Sequence, residues 1–134
     1  PAELLALAHE ALRSTRGAAV AIAEVDLAKG ALRYAGIGNI AGVVVGPQGR
    51  TSLVSHNGIV GHKILRVREM TCPWPPGGTL IMHSDGLSAS WDLGRYPGLL
   101  ARHPALGAAT IYRDFARQRD DATIVMARPR AEAS

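Results

Sequence analysis

Two acidic motifs stand at the ends of predicted strands. Asp85 directly follows a strand whose body, residues 80–82, is apolar, and Asp120-Asp121 precedes the β-branched run 122–127. If these strands are antiparallel neighbours, the acids meet at one rim of the sheet. Packed carboxylates repel unless a cation neutralises them, and hard oxygen ligands select Mg²⁺ or Mn²⁺. Such a metal makes hydroxide from water at neutral pH and polarises a phosphoryl oxygen.

Each motif also has a plainer interpretation. An Asp-Gly pair after a strand, here Asp85-Gly86, is most often only a turn. Asp120-Asp121 can cap the preceding helix or form a solvated pair. Taken singly, the two patterns leave both interpretations open.

The elements that would position these acids form an α+β pattern. A strand that is apolar at every position of 80–82 is covered on both faces, so it should lie centrally in its sheet. Hairpins dominate, which favours antiparallel sheets with helices packed on a sheet or sandwich. Arg66 and Arg68 should face solvent from an alternating strand. The sequence predicts helices at 1–15, 88–103 and 106–118, and strands at 18–25, 32–37, 40–45, 51–54, 64–70, around 80–82 and at 122–127.

Bulk composition indicates a folded protein. With 134 residues, 47% hydrophobic and 19% charged, we expect a single domain over 1–128 and a flexible tail over 129–134. No apolar run approaches the roughly 18 residues of a membrane helix, and the N-terminus lacks signal-peptide features. We therefore expect a cytoplasmic protein. The single cysteine, Cys72, excludes an internal disulfide and a cysteine-based zinc cage, and an inert, partly buried thiol is the expected state.

The net charge of +4 comes almost entirely from arginine. The arginines are scattered from Arg13 to Arg130, and the few aromatic residues do not interleave with them. This pattern favours a solvated surface over nucleic-acid binding. An arginine-driven nucleic-acid binder would instead show affinity that falls steeply with salt.

Residues 77–88, followed about thirty residues later by 119–125, resemble the metal-dependent serine/threonine protein phosphatases. That superfamily is also called PPM, or protein phosphatase 2C-like, and the bacterial SpoIIE/RsbX-type branch is the most similar. Residues 33–39 resemble the strand and loop that carry that branch's Gly-x-Gly-Asn/His stretch. The resemblance covers residues 1–128. It implies an antiparallel β-sandwich flanked by helices, with a site for two Mn²⁺ or Mg²⁺ ions at one edge.

The resemblance also implies roles for individual residues. Asp85 is similar to the ligand of the family's Ser/Thr-Asp-Gly motif, and Asp120 to the ligand of its C-terminal Asp-Asn/Asp motif. Asp121 occupies the neighbouring position of that motif. Gly86 would allow the sharp turn that aims Asp85 at the metal.

One departure from the family pattern concerns the start of the chain. The family has an earlier metal-binding Asp and an Asp-Gly-x-Gly-His-Gly-type motif, both upstream of the helix at 1–15, and neither is present here. We expect either the C-terminal portion of the family domain or a chain that has lost half of the metal site. Fewer ligands would weaken metal binding. Missing first strands would leave sheet edges that invite homodimerisation or strand exchange.

Further polar residues are candidates for substrate contact. Alternation along the strand would place His83 on the same face as Asp85, where it could bind phosphate or act as an acid. A hydrogen-bonded core histidine is the plainer alternative. Asn39 and His56 lie in predicted loops and could contact substrate, or simply be surface residues. Asn57 and His62 share the loop of His56 and the same two interpretations. The spacing of His56 and His62 is weak evidence for a metal site.

The function implied by the resemblance is hydrolysis of phosphoserine or phosphothreonine on a bacterial signalling regulator. Water would attack phosphorus in line, with no phosphoenzyme. The expected partner is a phosphorylated regulatory protein of a partner-switching or stressosome pathway, such as a STAS-type anti-anti-sigma factor. A non-catalytic phosphatase-like module that binds a partner protein is the alternative, because the upstream motifs are absent.

Overall fold

Nine strands, two α-helices and two short 3₁₀ turns make up the fold in the computed structural model, which describes residues 1–64 and 66–130. The helices are α1 (Ala2–Ala11) and α2 (Pro104–Phe115), and the 3₁₀ turns are Leu93–Arg95 and Leu99–Ala101. The strands are β1 (Val20–Asp26), β2 (Ala31–Ile37), β3 (Ile40–Gly46), β4 (Gly49–Leu53), β5 (Gly58–Ile59), β6 (Lys63–Ile64), β7 (Met70–Pro73), β8 (Thr79–Ser84) and β9 (Ile124–Ala127).

The longer strands form two antiparallel sheets. The first has the order β1-β2-β7 and the second β4-β3-β8-β9, while β5 and β6 pair in a separate ribbon. The central position expected for β8 is confirmed, since β8 lies between β3 and β9. The expected antiparallel pairing of β8 with β9 is confirmed too, with His83 opposite Ile124.

Three hydrophobic clusters define the layers. The two sheets face each other across a sandwich interior that includes Tyr34 and Leu80. Helix α1 covers the outer face of the first sheet through Leu5. Helix α2 covers the outer face of the second sheet, where Ile111 packs with Ile81. The predicted antiparallel sandwich flanked by helices is therefore confirmed.

Strand β8 is covered on both faces, which explains why its sequence is apolar at successive positions. Successive side chains point to opposite faces of a sheet, so Leu80 faces the sandwich interior and Ile81 faces α2. Ile81 is fully buried, which contributes about 1.5–3 kcal/mol relative to exposure. Cys72 is also buried in the sandwich interior, without a disulfide partner, and burial raises the pKa of its thiol.

The helix predicted for 88–103 is wrong. Only the two 3₁₀ turns form there, because local polar groups compete with helical hydrogen bonds. The Asp92 carboxylate accepts a bond from the Gly94 N–H at 2.9 Å, and Ser88 bonds Ser90 through its hydroxyl. Gly98 then adopts a left-handed φ of 77°, which separates the two 3₁₀ turns.

Other boundaries also differ from prediction: α2 spans Pro104–Phe115 rather than 106–118, and β9 starts at Ile124 rather than at residue 122. Helix α1 ends at Ala11 rather than residue 15, because the Thr15 hydroxyl donates to the Leu12 carbonyl and closes a turn. The strand predicted for 64–70 is also wrong: β6 ends at Ile64, residues 66–69 form no regular element, and β7 starts at Met70. Leu65 lies outside the described residues, as do residues 131–134 of the predicted tail. Arg66 and Arg68 are exposed, as expected.

None of the helices in the described ranges has the length and apolarity that crossing a membrane requires.

Candidate functional site

Gly86 brings the two acidic motifs into backbone contact. A Cβ placed on Gly86 would lie 2.1 Å from the Asp121 carbonyl oxygen, so no other residue fits without a shift. The Gly86 carbonyl accepts a bond from the Arg117 N–H at 2.8 Å. Gly86 is not left-handed. Its role in the structure is therefore close approach, whereas the sequence had suggested only a sharp turn.

Ser84 provides a second link between the motifs. Its N–H donates to the Thr123 carbonyl at 3.0 Å, and its hydroxyl oxygen accepts the Thr123 N–H at 3.0 Å. The same hydroxyl donates to the Asp121 carbonyl at 3.4 Å. Together with the Gly86 contact, these bonds place both motifs at one rim of the second sheet.

Asp85 is exposed and has a neutral partner. Its Oδ2 accepts a hydrogen bond from Asn39 Nδ2 at 3.2 Å, and Asn39 lies in the turn between β2 and β3. A cleft of about 220 Å³ opens beside this pair. Its lining residues are Ala19, Gly38, Asn39, Asn57, Gly58, Ile59 and Asp85.

Asp120 and Asp121 are exposed in the segment that leads into β9. Asp120 Oδ1 accepts the Asp121 N–H at 2.9 Å, which folds that carboxylate back onto its own loop. Across residues 1–64 and 66–130, no ion pair involves Asp85, Asp120 or Asp121. The three carboxylates of these motifs therefore have no arginine or lysine partner in the described chain.

These residues fit a metal ion in kind but not in number. Carboxylate oxygens suit Mg²⁺ and Mn²⁺, and an octahedral ion needs about six donors. Within the described ranges, no group of three or more His, Cys, Asp or Glu side chains is arranged to hold a metal. The rim thus supplies part of a coordination sphere, and further donors would have to come from water or from residues outside these ranges.

His83 lies in the core and not in the cleft. It is 5% exposed, its Nε2 accepts the Trp91 indole N–H at 3.0 Å, and its Nδ1 lies 2.8 Å from the Ser84 carbonyl. The expectation that alternation places His83 and Asp85 on one face is wrong, because β8 ends at Ser84 and the turn redirects Asp85. The hydrogen-bonded core position is the one observed, and both ring nitrogens are engaged rather than free for substrate.

In the segment after β4, His56 and His62 make contacts to the backbone, whereas Asn57 lines the cleft. His56 is half-buried and bridges the backbone: its N–H donates to Gly36 and its carbonyl accepts from Gly38, both at 2.8 Å. It does not line the cleft, whereas the next residue, Asn57, does. His62 Nε2 lies 2.7 Å from the Thr15 carbonyl, which ties it to the end of the first helical segment.

Sequence reasoning missed two contributors to this region. Ser84 was only part of a motif, and Trp91 lay in a segment mistaken for a helix. A tryptophan within a polar Ser-Ala-Ser-Trp-Asp stretch was the available signal for Trp91, since a residue with so large an apolar ring is usually buried. The Ser84 contacts depend on the sheet order and had no local signal.

The layered sandwich with acids at its rim defines the class as a PPM-type phosphatase fold. The structure of RsbX in complex with magnesium has a TM-score of 0.70 at 20% identity, over 88% of this chain and 59% of RsbX. The SpoIIE phosphatase domain from Bacillus subtilis, presoaked with Mn, gives 0.62 at 17% identity, over 87% and 58%. A chain from work on the bacterial stressosome as a modular system controlling secondary messenger signalling gives 0.83 at 26% identity, over 95% and 67%.

The chain belongs to the SpoIIE family, Stage II sporulation protein E, whose sequence pattern matches residues 1–130. This confirms the resemblance to the SpoIIE/RsbX branch. Comparison with curated protein sequences gave no match. The chain spans about three fifths of the RsbX and SpoIIE chains that it matches.

Proposed function

We propose that this chain contributes to a metal-dependent phosphatase that hydrolyses phosphoserine or phosphothreonine on a bacterial signalling protein. The observation that carries the proposal is the Gly86–Asp121 contact. It gathers Asp85 and Asp120-Asp121 at one rim, and none of the three has an ion-pair partner in the described chain. Membership of the SpoIIE family supports this choice of reaction.

The proposed cofactor is Mn²⁺ or Mg²⁺, held in part by Asp85 and Asp120, with Asp121 beside them. The magnesium of the RsbX structure and the Mn soak of the SpoIIE domain support this choice. When bound, such ions supply an activated water and stabilise charge on the phosphoryl group. The contribution of this chain is to present the carboxylates, with Asn39 fixing the orientation of Asp85.

The cleft beside Asp85 is the proposed site for the phosphorylated segment. Its lining offers the Asn39 and Asn57 amides, which donate and accept hydrogen bonds as a peptide backbone requires. Gly38 and Gly58 allow close packing within this chain, since a Cβ on them would meet Ala19 and the Lys63 carbonyl. The lining residues include no arginine or lysine, so the charge of a phosphate there would have to be balanced by the metal.

The proposed substrate is a phosphorylated regulator of the partner-switching type, either a STAS-type anti-anti-sigma factor or a stressosome component. Similarity to RsbX and to the stressosome-related chain supports this class of partner. The reaction would take place in the cytoplasm, where such regulators act.

Phosphate release from a phosphoserine-bearing STAS protein tests the proposal. The native gene product that contains this chain should release phosphate only with Mn²⁺ or Mg²⁺, and Asp85→Asn should abolish the release. No release by the wild type under these conditions, or equal release by Asp85→Asn, would refute the proposal.

A non-catalytic binding module is the second candidate function. It is favoured by the lack, within the described residues, of any grouped set of three metal-ligating side chains. Calorimetry on this 134-residue chain distinguishes the two. Tight, stoichiometric Mn²⁺ binding that Asp120→Ala abolishes would argue against the module, and binding of a phosphorylated partner without metal would support it.

We also propose that residues 1–128 behave as one folding unit that pairs with a second copy through a sheet edge. Strands β1 and β9 each have a single strand neighbour in the described sheets, and Val125 on β9 is 45% exposed. An unpaired edge can template another strand, and an edge lysine blocks such pairing. Sedimentation should show a dimer that Val125→Lys converts to a monomer; a monomeric wild type would refute the pairing.

A further inference from the structure

The regular backbone hydrogen bonding between β8 and β9 is interrupted at Ser84. In a hydrogen-bonded antiparallel pair, two opposite residues exchange both backbone bonds. Ser84 and Thr123 exchange only one: the Ser84 N–H donates to the Thr123 carbonyl at 3.0 Å. The return bond from the Thr123 N–H goes to the Ser84 hydroxyl at 3.0 Å. The serine side chain thus takes the place of its own carbonyl, and the regular ladder ends at His83 and Ile124.

The Ser84 carbonyl has two other partners: it accepts the Leu87 N–H at 3.2 Å, which closes the turn, and it lies 2.8 Å from His83 Nδ1. Indole N–H is a donor only, so His83 Nε2, at 3.0 Å from Trp91 Nε1, must accept. A neutral ring that accepts at Nε2 carries its proton on Nδ1. That Nδ1–H then donates to the Ser84 carbonyl at 2.8 Å. Trp91, at 8% exposure, therefore selects the tautomer that binds the carbonyl.

The bond to the Ser84 carbonyl has a direct consequence for Asp85. The peptide group that contains this carbonyl also contains the Asp85 nitrogen, and the group is planar. Fixing the direction of the carbonyl therefore fixes the direction in which the chain enters Asp85. In this direction Asp85 leaves the sheet and meets Asn39 at 3.2 Å.

We propose that His83, held by Trp91, is a positioning residue that sets the orientation of Asp85. The Ser84 hydroxyl replaces the Ser84 carbonyl as the acceptor for the Thr123 N–H. The proposal rests on the proposed function only in so far as Asp85 is a metal ligand. Outer residues that orient a ligand typically change metal affinity by 10–100-fold when removed.

Three variants separate positioning from packing. His83→Leu fills the space but removes the donor to Ser84. His83→Asn keeps an amide donor near the position of Nδ1. The double variant His83→Leu with Trp91→Phe removes donor and acceptor together, so no indole N–H is left buried without a partner.

The first measurement is the backbone NMR chemical shifts of residues 84–87 and Thr123 in the metal-free chain. His83→Leu and the double variant should shift these signals while the α1 signals stay unchanged, and His83→Asn should restore most of the wild-type pattern. Unchanged shifts in both leucine variants, or equal shifts in the leucine and asparagine variants, would overturn the proposal.

The second measurement is Mn²⁺ affinity by calorimetry in the native gene product. His83→Leu should weaken binding by about 10–100-fold, and His83→Asn should recover most of the loss. Equal affinity in wild type and His83→Leu would also overturn the proposal. If the wild type binds no Mn²⁺, the proposed function fails, and the chemical shifts still decide whether His83 orients Asp85.

Discussion

Glu69 and Asp85 are both acidic residues that meet a distant part of the chain, but their surroundings differ. Glu69 accepts from Arg33 Nε at 2.7 Å and Nη2 at 3.3 Å, and from the Ala2 N–H at 3.0 Å. Its pKa is lowered to about 2, chiefly by the hydrogen bond with Arg33. Asp85 has one neutral donor, Asn39, and no ion pair in the described chain.

This difference separates a carboxylate used for folding from carboxylates available for a ligand. Glu69 joins β2 to the start of α1, and its charge is balanced internally. At the rim, the close approach of Gly86 to the Asp121 carbonyl brings two acidic motifs to one end of the sheet, and none of their carboxylates has an ion-pair partner in the described chain. Exposed carboxylates without an internal cation are available to an external one, which is the physical basis of the proposed metal centre.

Asp85→Asn is the change with the largest expected effect. Loss of a ligand should cost at least the 10–100-fold in metal affinity that loss of an outer-sphere partner costs, so phosphate release should fall by about 100-fold or more. The free energy of unfolding without metal should hardly change. Glu69→Gln is the matched control and should keep the rate of phosphate release; a similar loss in both variants would erase the distinction between the two acids.

Gly86→Ala should have the next largest effect, this time on stability. The added Cβ would lie 2.1 Å from the Asp121 carbonyl, and overpacking of this kind costs about 1–3 kcal/mol. Gly94→Ala is the control, because its nearest neighbours are side-chain oxygens of Asp92 at 3.2 Å. Urea unfolding measures both variants, and equal stabilities would show that the rim does not depend on this contact.

Asn39→Ala should have a smaller effect that is confined to the rim. Removing the donor to Asp85 Oδ2 should weaken Mn²⁺ binding by about 10-fold and leave the unfolding midpoint near that of the wild type, because the bond is exposed. Calorimetry and thermal unfolding give the two values. Unchanged Mn²⁺ affinity would mean that Asn39 does not orient Asp85.

Glu69→Gln should have the smallest effect, a modest loss of stability at neutral pH that disappears in acid. The folded-state pKa of Glu69 lies below its ordinary value of 4.5, so its contribution is complete above about pH 4.5 and is lost as pH falls toward about 2. The wild type should therefore lose stability more steeply than Glu69→Gln across that window. Glu10→Gln, at an exposed pair with Arg13, should follow the wild type; parallel curves for Glu69→Gln would contradict the assignment.

Structural features that depend on residues close in sequence were mostly predicted well. Alternation of small and apolar residues identified β1, and the continuously apolar body of β8 gave its central place in the sheet. The helix prediction for 88–103 failed for a local reason as well. Ser88, Ser90 and Asp92 form hydrogen bonds within the loop, and Gly98 has a left-handed φ. Helical spacing of apolar residues did not outweigh those competing hydrogen bonds.

The sequence by itself determined the fold class, the order of the main strands along the chain and the presence of acids at two strand ends. It did so because strand alternation, turn chemistry and motif spacing are properties of short segments. Only the tertiary structure decided which groups meet. Asn39 contacts Asp85 across 46 positions of sequence, and Thr123 contacts Ser84 across 39. These contacts follow from the order of strands within the sheets and from the packing of the sheets, which no local pattern specifies. They decide that Asp85 faces a cleft while His83 lies in the core.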